Sequence, residues 1–262
     1  MKALDLKING RRVRVLEAGS GPPLLLLHGG LGDARMHWET AAKELEHVFH
    51  LYAPCLPSYE GSDALEYPSW DALLNWLNAI LDELHLERVP LCGNSFGGAF
   101  AQAFAARYPQ RVSHLILVNS GPLISLPAFV GKWLSSPLGK PLGALLNKVM
   151  YSKKMLSETI AEPRVLSEDF VRGVRENAPF FSALMLSVSA SKPPLPLNLQ
   201  IPVTVVWGDS DRLVSEKAAQ KLVGSFENAL LRRVEGVGHM PQLEAPVRFA
   251  MIVREALLQS PK

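Results

Sequence analysis

The hexapeptide Gly93-Asn94-Ser95-Phe96-Gly97-Gly98 constrains this chain more than any other stretch. It follows a short apolar run, Val89 to Cys92, and opens a helical run from Ala99 to Tyr108. Gly-x-Ser-x-Gly between a strand and a helix is a nucleophile elbow. The serine sits on a strained turn with its hydroxyl pushed out above the sheet. Gly93 and Gly97 let the strand and helix backbones approach without a Cβ clash. A helix starting at the serine turns its free N–H groups and positive dipole end towards any negative charge that develops there. Ser95 is the candidate nucleophile.

The flanking chain supplies the context. Residues 3–18 alternate apolar and polar around Asn9-Gly10, a hairpin signal that predicts an antiparallel pair at a sheet edge. Leu24 to Leu27 is short and wholly apolar, as in a strand buried on both faces. A helix follows from about Ala34 to His47, then a strand from Val48 to Ala53. Ser69 caps a helix with apolar residues at 70, 73, 74, 77, 80, 81 and 84. The elbow strand comes next, with Pro90 an awkward member because it removes a ladder donor. Val112 to Val118 is another buried strand. Alternation resumes later with a strand at Val203 to Trp207, a helix at Ser215 to Val223, a strand at Leu230 to Val234 and a helix from Pro246 to Leu258.

This order implies an α/β fold with a mostly parallel sheet of about eight strands, flanked by helices and binding ligands beyond the carboxyl ends of its strands. Residues 122–199 break the pattern. They show helical stripes and no strand, with nine Lys and Arg against five Asp and Glu. They read as a helical lid inserted after the sixth strand, leaving residues 1–121 and 200–262 as the core. The length, 262 residues, suits one domain with such an insertion.

Composition excludes several classes. A net charge of +2 gives no argument for nucleic acid or an anionic membrane. No run reaches the roughly 18 apolar residues of a membrane helix, so no membrane insertion is expected. The amino terminus has no apolar signal-peptide core, and two cysteines make no disulfide framework, so a cytoplasmic location is expected.

A serine hydroxyl needs a base beside it. Of seven histidines, His239 lies in the loop Gly236-Val237-Gly238-His239-Met240-Pro241 after the last strand, at the right end of the sheet. It is the candidate general base and then general acid. His47, His50, His85 and His114 are expected to be solvated, His37 to pack near the active face, and His28 to hold its loop by a structural hydrogen bond. The imidazole needs a carboxylate to fix its tautomer. Trp207-Gly208-Asp209-Ser210-Asp211 offers two, with Asp211 preferred and Asp209 the alternative. The order Ser, Asp, His is the one that an elbow fold uses. Two N–H groups must receive the oxyanion. Phe96 supplies one, and Gly30, in His28-Gly29-Gly30-Leu31-Gly32, is favoured for the other.

With these segments together, the chain resembles the α/β-hydrolase superfamily over nearly its full length. It is similar to the serine branch of small carboxylesterases and meta-cleavage-product hydrolases, which shares His-Gly-Gly, Gly-Asn-Ser-Phe-Gly-Gly and Gly-His-x-Pro. The resemblance implies Ser95, Asp211 and His239 as triad, Gly30 and Phe96 as oxyanion donors, and a lid that sets substrate choice. One stretch departs from the pattern. In Ala53-Pro54-Cys55-Leu56-Pro57-Ser58-Tyr59-Glu60-Gly61-Ser62-Asp63, Cys55 replaces an aspartate and Ser58 and Glu60 replace glycines.

The expected activity is hydrolysis of carboxylic esters with small to medium hydrophobic groups, through an acyl-enzyme and without metal or cofactor. Leu31, Met240 and the lid residues Trp133, Phe180 and Met185, with Phe129, Leu145 and Phe181 nearby in character, are candidates for an apolar substrate pocket. Two alternatives stand beside it. A C–C hydrolase acting on a vinylogous diketone acid would need a cation in the pocket, from Lys132, Lys140, Arg172 or Arg175. A slow-turnover ligand sensor would keep the triad and use its lid for docking. Oligomeric state is not expressed in the sequence.

Overall fold

A computed structural model describes residues 1–121, 151–188, 191–195 and 199–258. Eight strands form one sheet in the spatial order β1-β2-β4-β3-β5-β6-β7-β8. They are β1 (Lys2–Ile8), β2 (Arg11–Ala18), β3 (Pro23–Leu27), β4 (His50–Pro54), β5 (Val89–Asn94), β6 (Val112–Val118), β7 (Val203–Gly208) and β8 (Ala229–Val234). β1 pairs antiparallel with β2, and β2 antiparallel with β4; every later pairing is parallel. Asn9 and Gly10, at φ 49° and 81°, close the β1–β2 hairpin. Both need left-handed backbone, which the Asn-Gly pair tolerates.

Helices α1 (Ala34–Leu45), α2 (Trp70–Glu83), α3 (Phe96–Arg107), α4 (Lys153–Thr159), α5 (Glu168–Val188), α6 (Glu216–Val223), α7 (Pro241–Glu244) and α8 (Pro246–Leu258) complete the described residues. Their starts follow local chemistry. The Asp33 side chain accepts the Met36 N–H at the start of α1, and Ser69 accepts the Ala72 N–H at the start of α2. Helix α3 begins at Phe96 with Ser95 at its N-cap, so the helix starts at the serine as the elbow requires. Pro90 falls at a register shift between Val89 and Leu91 against β6, where the ladder is irregular and no pairing asks for its missing N–H.

β3, β5 and β6 are buried almost throughout and are sealed by both helical layers into one core. A second, smaller core holds Tyr151, Leu156, Ile160, Phe170, Val171, Val174 and Ala178 together with Met240. Helix α5 belongs to both. Its amino-terminal half packs in the small core, while Leu184 and Val188 enter the large one. It therefore lies as a beam across the carboxyl ends of the strands, and no strand interrupts the described part of the lid. The stripe at Leu142 to Val149 lies outside the described residues. Among the described residues, no helix is long and apolar enough to cross a membrane.

In the departing loop after β4, Ser58 adopts φ 73°. The position keeps the left-handed conformation that a glycine would take, so the backbone path survives the replacement. Cys55 is buried, and burial pushes its thiol up to about 12.

Candidate active site

Ser95 sits between β5 and α3 with φ 54° and ψ −117°, outside the regions where non-glycine residues are comfortable. Its neighbours hold it there. The Ser95 N–H donates to Val118 O at 2.9 Å, and its carbonyl accepts the Gly98 and Ala99 N–H groups. A Cβ on Gly93 would lie 2.2 Å from Gly97 O, and one on Gly97 would lie 2.0 Å from Leu27 O. Both glycines are thus required by direct backbone approach.

His239 and Asp211 meet beside the elbow. His239 Nδ1 donates to Asp211 Oδ2 at 2.8 Å, and both residues are buried. Asp211 Oδ1 accepts the Leu213 and Val214 N–H groups at 2.7 and 3.2 Å, which fixes the carboxylate. With Nδ1 protonated, His239 Nε2 keeps its lone pair. Asp209 is elsewhere engaged. It binds Arg233 at 3.0 Å and accepts the Gly236 N–H at 2.7 Å. Desolvation opposes its charge, but these partners outweigh that and hold its carboxyl below the usual range.

Two buried asparagines, which the sequence reading did not single out, bring the three loops together. Asn94 Nδ2 donates to His239 O at 3.0 Å and to Val118 O at 3.1 Å, joining the residue before Ser95 to the histidine loop. Asn119 accepts the Gly208 N–H at 2.8 Å and donates to Gly238 O, joining the aspartate and histidine loops. Their position at the carboxyl ends of adjacent strands was the available signal.

The loop after β3 closes against the elbow. A Cβ on Gly29 would lie 3.0 Å from Ser95 Cβ. His28 braces this loop: its Nε2 accepts the Leu56 N–H at 3.0 Å, and its Nδ1 lies 2.9 Å from Gly29 O. Burial lowers His28 to about 4. His37 is buried behind the same loop, and burial, followed by the neighbouring His28 and His239 rings, holds it well below the usual histidine range. His114 departs from expectation. It is buried between central strands, bound to Thr204 Oγ1 at 3.0 Å, and burial lowers it to about 4. His47 and His85 are exposed and His50 half-buried.

Gly30 faces the lid. A Cβ there would lie 2.4 Å from the Phe181 ring, which also stands edge-on to Phe96 at 5.4 Å. The two expected oxyanion donors are therefore spanned by one aromatic side chain of α5. Phe180 points further out, 43% exposed and 6.0 Å from the Tyr59 ring. Met185 packs against the large core and Leu31 against the small one. Met240 is fully buried inside the small core, joining the histidine loop to the lid. Trp133, Phe129, Leu145, Lys132 and Lys140 lie outside the described residues.

A family model of the alpha/beta hydrolase fold matches residues 22–246. The chain belongs to that family. This α/β-hydrolase is 29% identical over 271 residues to the 2-hydroxymuconate semialdehyde hydrolase of Pseudomonas sp. (strain CF600), covering 96% of this chain and 92% of that protein. In fold, it is similar to the meta-cleavage product hydrolase from Pseudomonas fluorescens IP01, with a TM-score of 0.78, 21% identity and 98% of each chain covered. A thermophilic esterase from Thermogutta terrifontis gives a TM-score of 0.79 at 22% identity, with 99% of each chain covered.

Proposed function

We propose that this α/β-hydrolase cleaves carboxylic esters of small to medium hydrophobic acids through an acyl-enzyme on Ser95. Ser95 Oγ attacks the acyl carbon and gives its proton to His239 Nε2, and the alcohol leaves with that proton. Water then gives a proton to His239 and attacks the acyl carbon, Ser95 recovers its proton, and the acid departs. The Phe96 and Gly30 N–H groups receive the oxyanion in both halves. Asp211 holds the imidazole tautomer and stabilises its cation. The observation that carries the reading is the buried His239–Asp211 bond at 2.8 Å beside the strained serine. The aromatic cover of Phe181 over Gly30 and Phe96 favours an apolar acyl group. The division into a core of residues 1–121 and 200–262 and a substrate-selecting lid of 122–199 belongs to the same proposal.

The semialdehyde hydrolase name of the curated relative favours a second reading, C–C bond hydrolysis on the same serine. Its anionic substrate calls for a cation, and among the described residues no lysine or arginine is buried. Treatment with a fluorophosphonate ester tests the mechanism common to both. The expected result is one covalent adduct, found by peptide mass on Ser95. A folded protein that takes no adduct, or takes it elsewhere, contradicts the reading.

A further inference from the structure

Glu244 stands outside the Ser95, Asp211 and His239 set, yet its carboxylate accepts four main-chain N–H groups from two separate parts of the chain. From the histidine loop, Gly238 N–H donates to Oε2 at 3.0 Å and Met240 N–H to Oε1 at 2.9 Å. From the lid segment after α4, Ala161 and Glu162 donate to Oε2 at 2.7 and 3.1 Å. Between these, the His239 N–H donates to Thr159 O at 3.0 Å. Three consecutive amides around His239 thus end on Glu244 or on the lid segment that Glu244 grips. The seam is tight. A Cβ on Gly238 would lie 2.5 Å from Thr159 O and 2.7 Å from Ala161 N, so only glycine fits where the two segments cross. An ionised carboxylate suits this place because it offers two oxygens and no donor, and its hydrogen bonds are charge-assisted.

We propose that Glu244 is a positioning residue that clamps lid segment 159–162 to the Gly238–Met240 loop, so that the aim of the His239 imidazole depends on a docked lid. The inference rests on the reading of His239 as the general base. Asn94 and Asp211 hold His239 from the core side, at its carbonyl and its ring; Glu244 and Thr159 hold its loop from the lid side. Loss of the lid-side contacts leaves the ring bonded to Asp211 but free to rock over the serine.

Three variants separate positioning from mere cohesion. Glu244→Gln can place its carbonyl oxygen at the Oε2 position and keep three of the four bonds. Glu244→Asp is one methylene shorter and cannot span both segments, and Glu244→Ala accepts nothing. Each is compared with wild type by kcat, KM and pH–rate profile on a p-nitrophenyl ester, and by hydrogen exchange over residues 159–162 and 238–240. For Asp and Ala, kcat falls about 10- to 100-fold with KM little changed. Exchange accelerates in both segments together, and Gln recovers most of both properties. Should the alanine variant not fold, the Asp and Gln pair carries the same contrast. Faster exchange with unchanged kcat and pH profile, or unchanged exchange, overturns the proposal. Wild-type ester turnover in Ser95→Ala, run in the same assay, would instead overturn the reading of the site itself, while the exchange data would still report the clamp.

Discussion

At Ser95 the backbone is bent where few side chains go, and the residues that hold it there are the glycines on either side. The spacing Gly-x-Ser-x-Gly expresses that need directly, so this residue was legible from the sequence alone. Between Asp209 and Asp211 the sequence prefers Asp211, although both follow the same strand by a few residues. Geometry separates them: one bonds His239, the other Arg233 and the Gly236 N–H. Asp211→Asn is therefore expected to lower ester kcat by about 10³- to 10⁴-fold, as loss of the correct tautomer does in a triad. Asp209→Asn should change kcat only a few-fold and lose the Arg233 ion pair. Comparable losses in the two variants would contradict the assignment. Gly30 and Phe181 make a second case, since an alanine Cβ at position 30 would push the ring out of its place. Gly30→Ala should depress kcat/KM, and Gly30→Ala/Phe181→Ala should recover part of it. Strictly additive effects in that cycle would show that the ring does not press on Gly30.

Among the elements, those whose boundaries coincide with a change of hydrophobic pattern were legible. β6 and α8 begin and end where the sequence places them, and Asn9-Gly10 turns the expected antiparallel pair at the sheet edge. What escaped was the chemistry that acts across strands. His114 looks solvated beside Ser113, yet β6 lies inside the sheet with both faces covered, so the ring is driven into the core and satisfied by Thr204 of β7. Asn94, Asn119 and Glu244 were silent for the same reason, since each works by bonding a loop far away in sequence. The buried histidines give a pH prediction. The folded chain keeps His28 and His114 neutral to about pH 4, whereas the unfolded chain takes up protons below about pH 6.5. Stability present above pH 6.5 is thus lost as pH falls towards 4, by on the order of 3 kcal/mol for each ring. His114→Gln keeps a partner for Thr204 without titrating. Urea unfolding at pH 7 and pH 4.5 should show a smaller acid loss in the variant than in wild type; equal losses would contradict a neutral His114.

On the scale of the whole molecule, a helix lying across the carboxyl ends of the strands covers the serine elbow, with Phe181 set against Gly30 and Phe96. Helix α5 is anchored in both cores, Met240 carries the histidine loop into the smaller one, and Glu244 bonds that loop and the Ala161 and Glu162 N–H groups. Family membership follows from the match over residues 22–246, but the bond cleaved depends on what the lid admits. The most direct test is turnover of p-nitrophenyl acyl esters of increasing chain length, with wild type beside Ser95→Ala and a 2-hydroxy-6-oxo-dienoate as competing substrate class. The account predicts ester kcat/KM well above that for the dienoate, an optimum at small to medium acyl chains, and loss of both activities in the variant. Negligible ester turnover by folded wild type, with rapid dienoate cleavage, would contradict it and make this hydrolase a C–C bond enzyme.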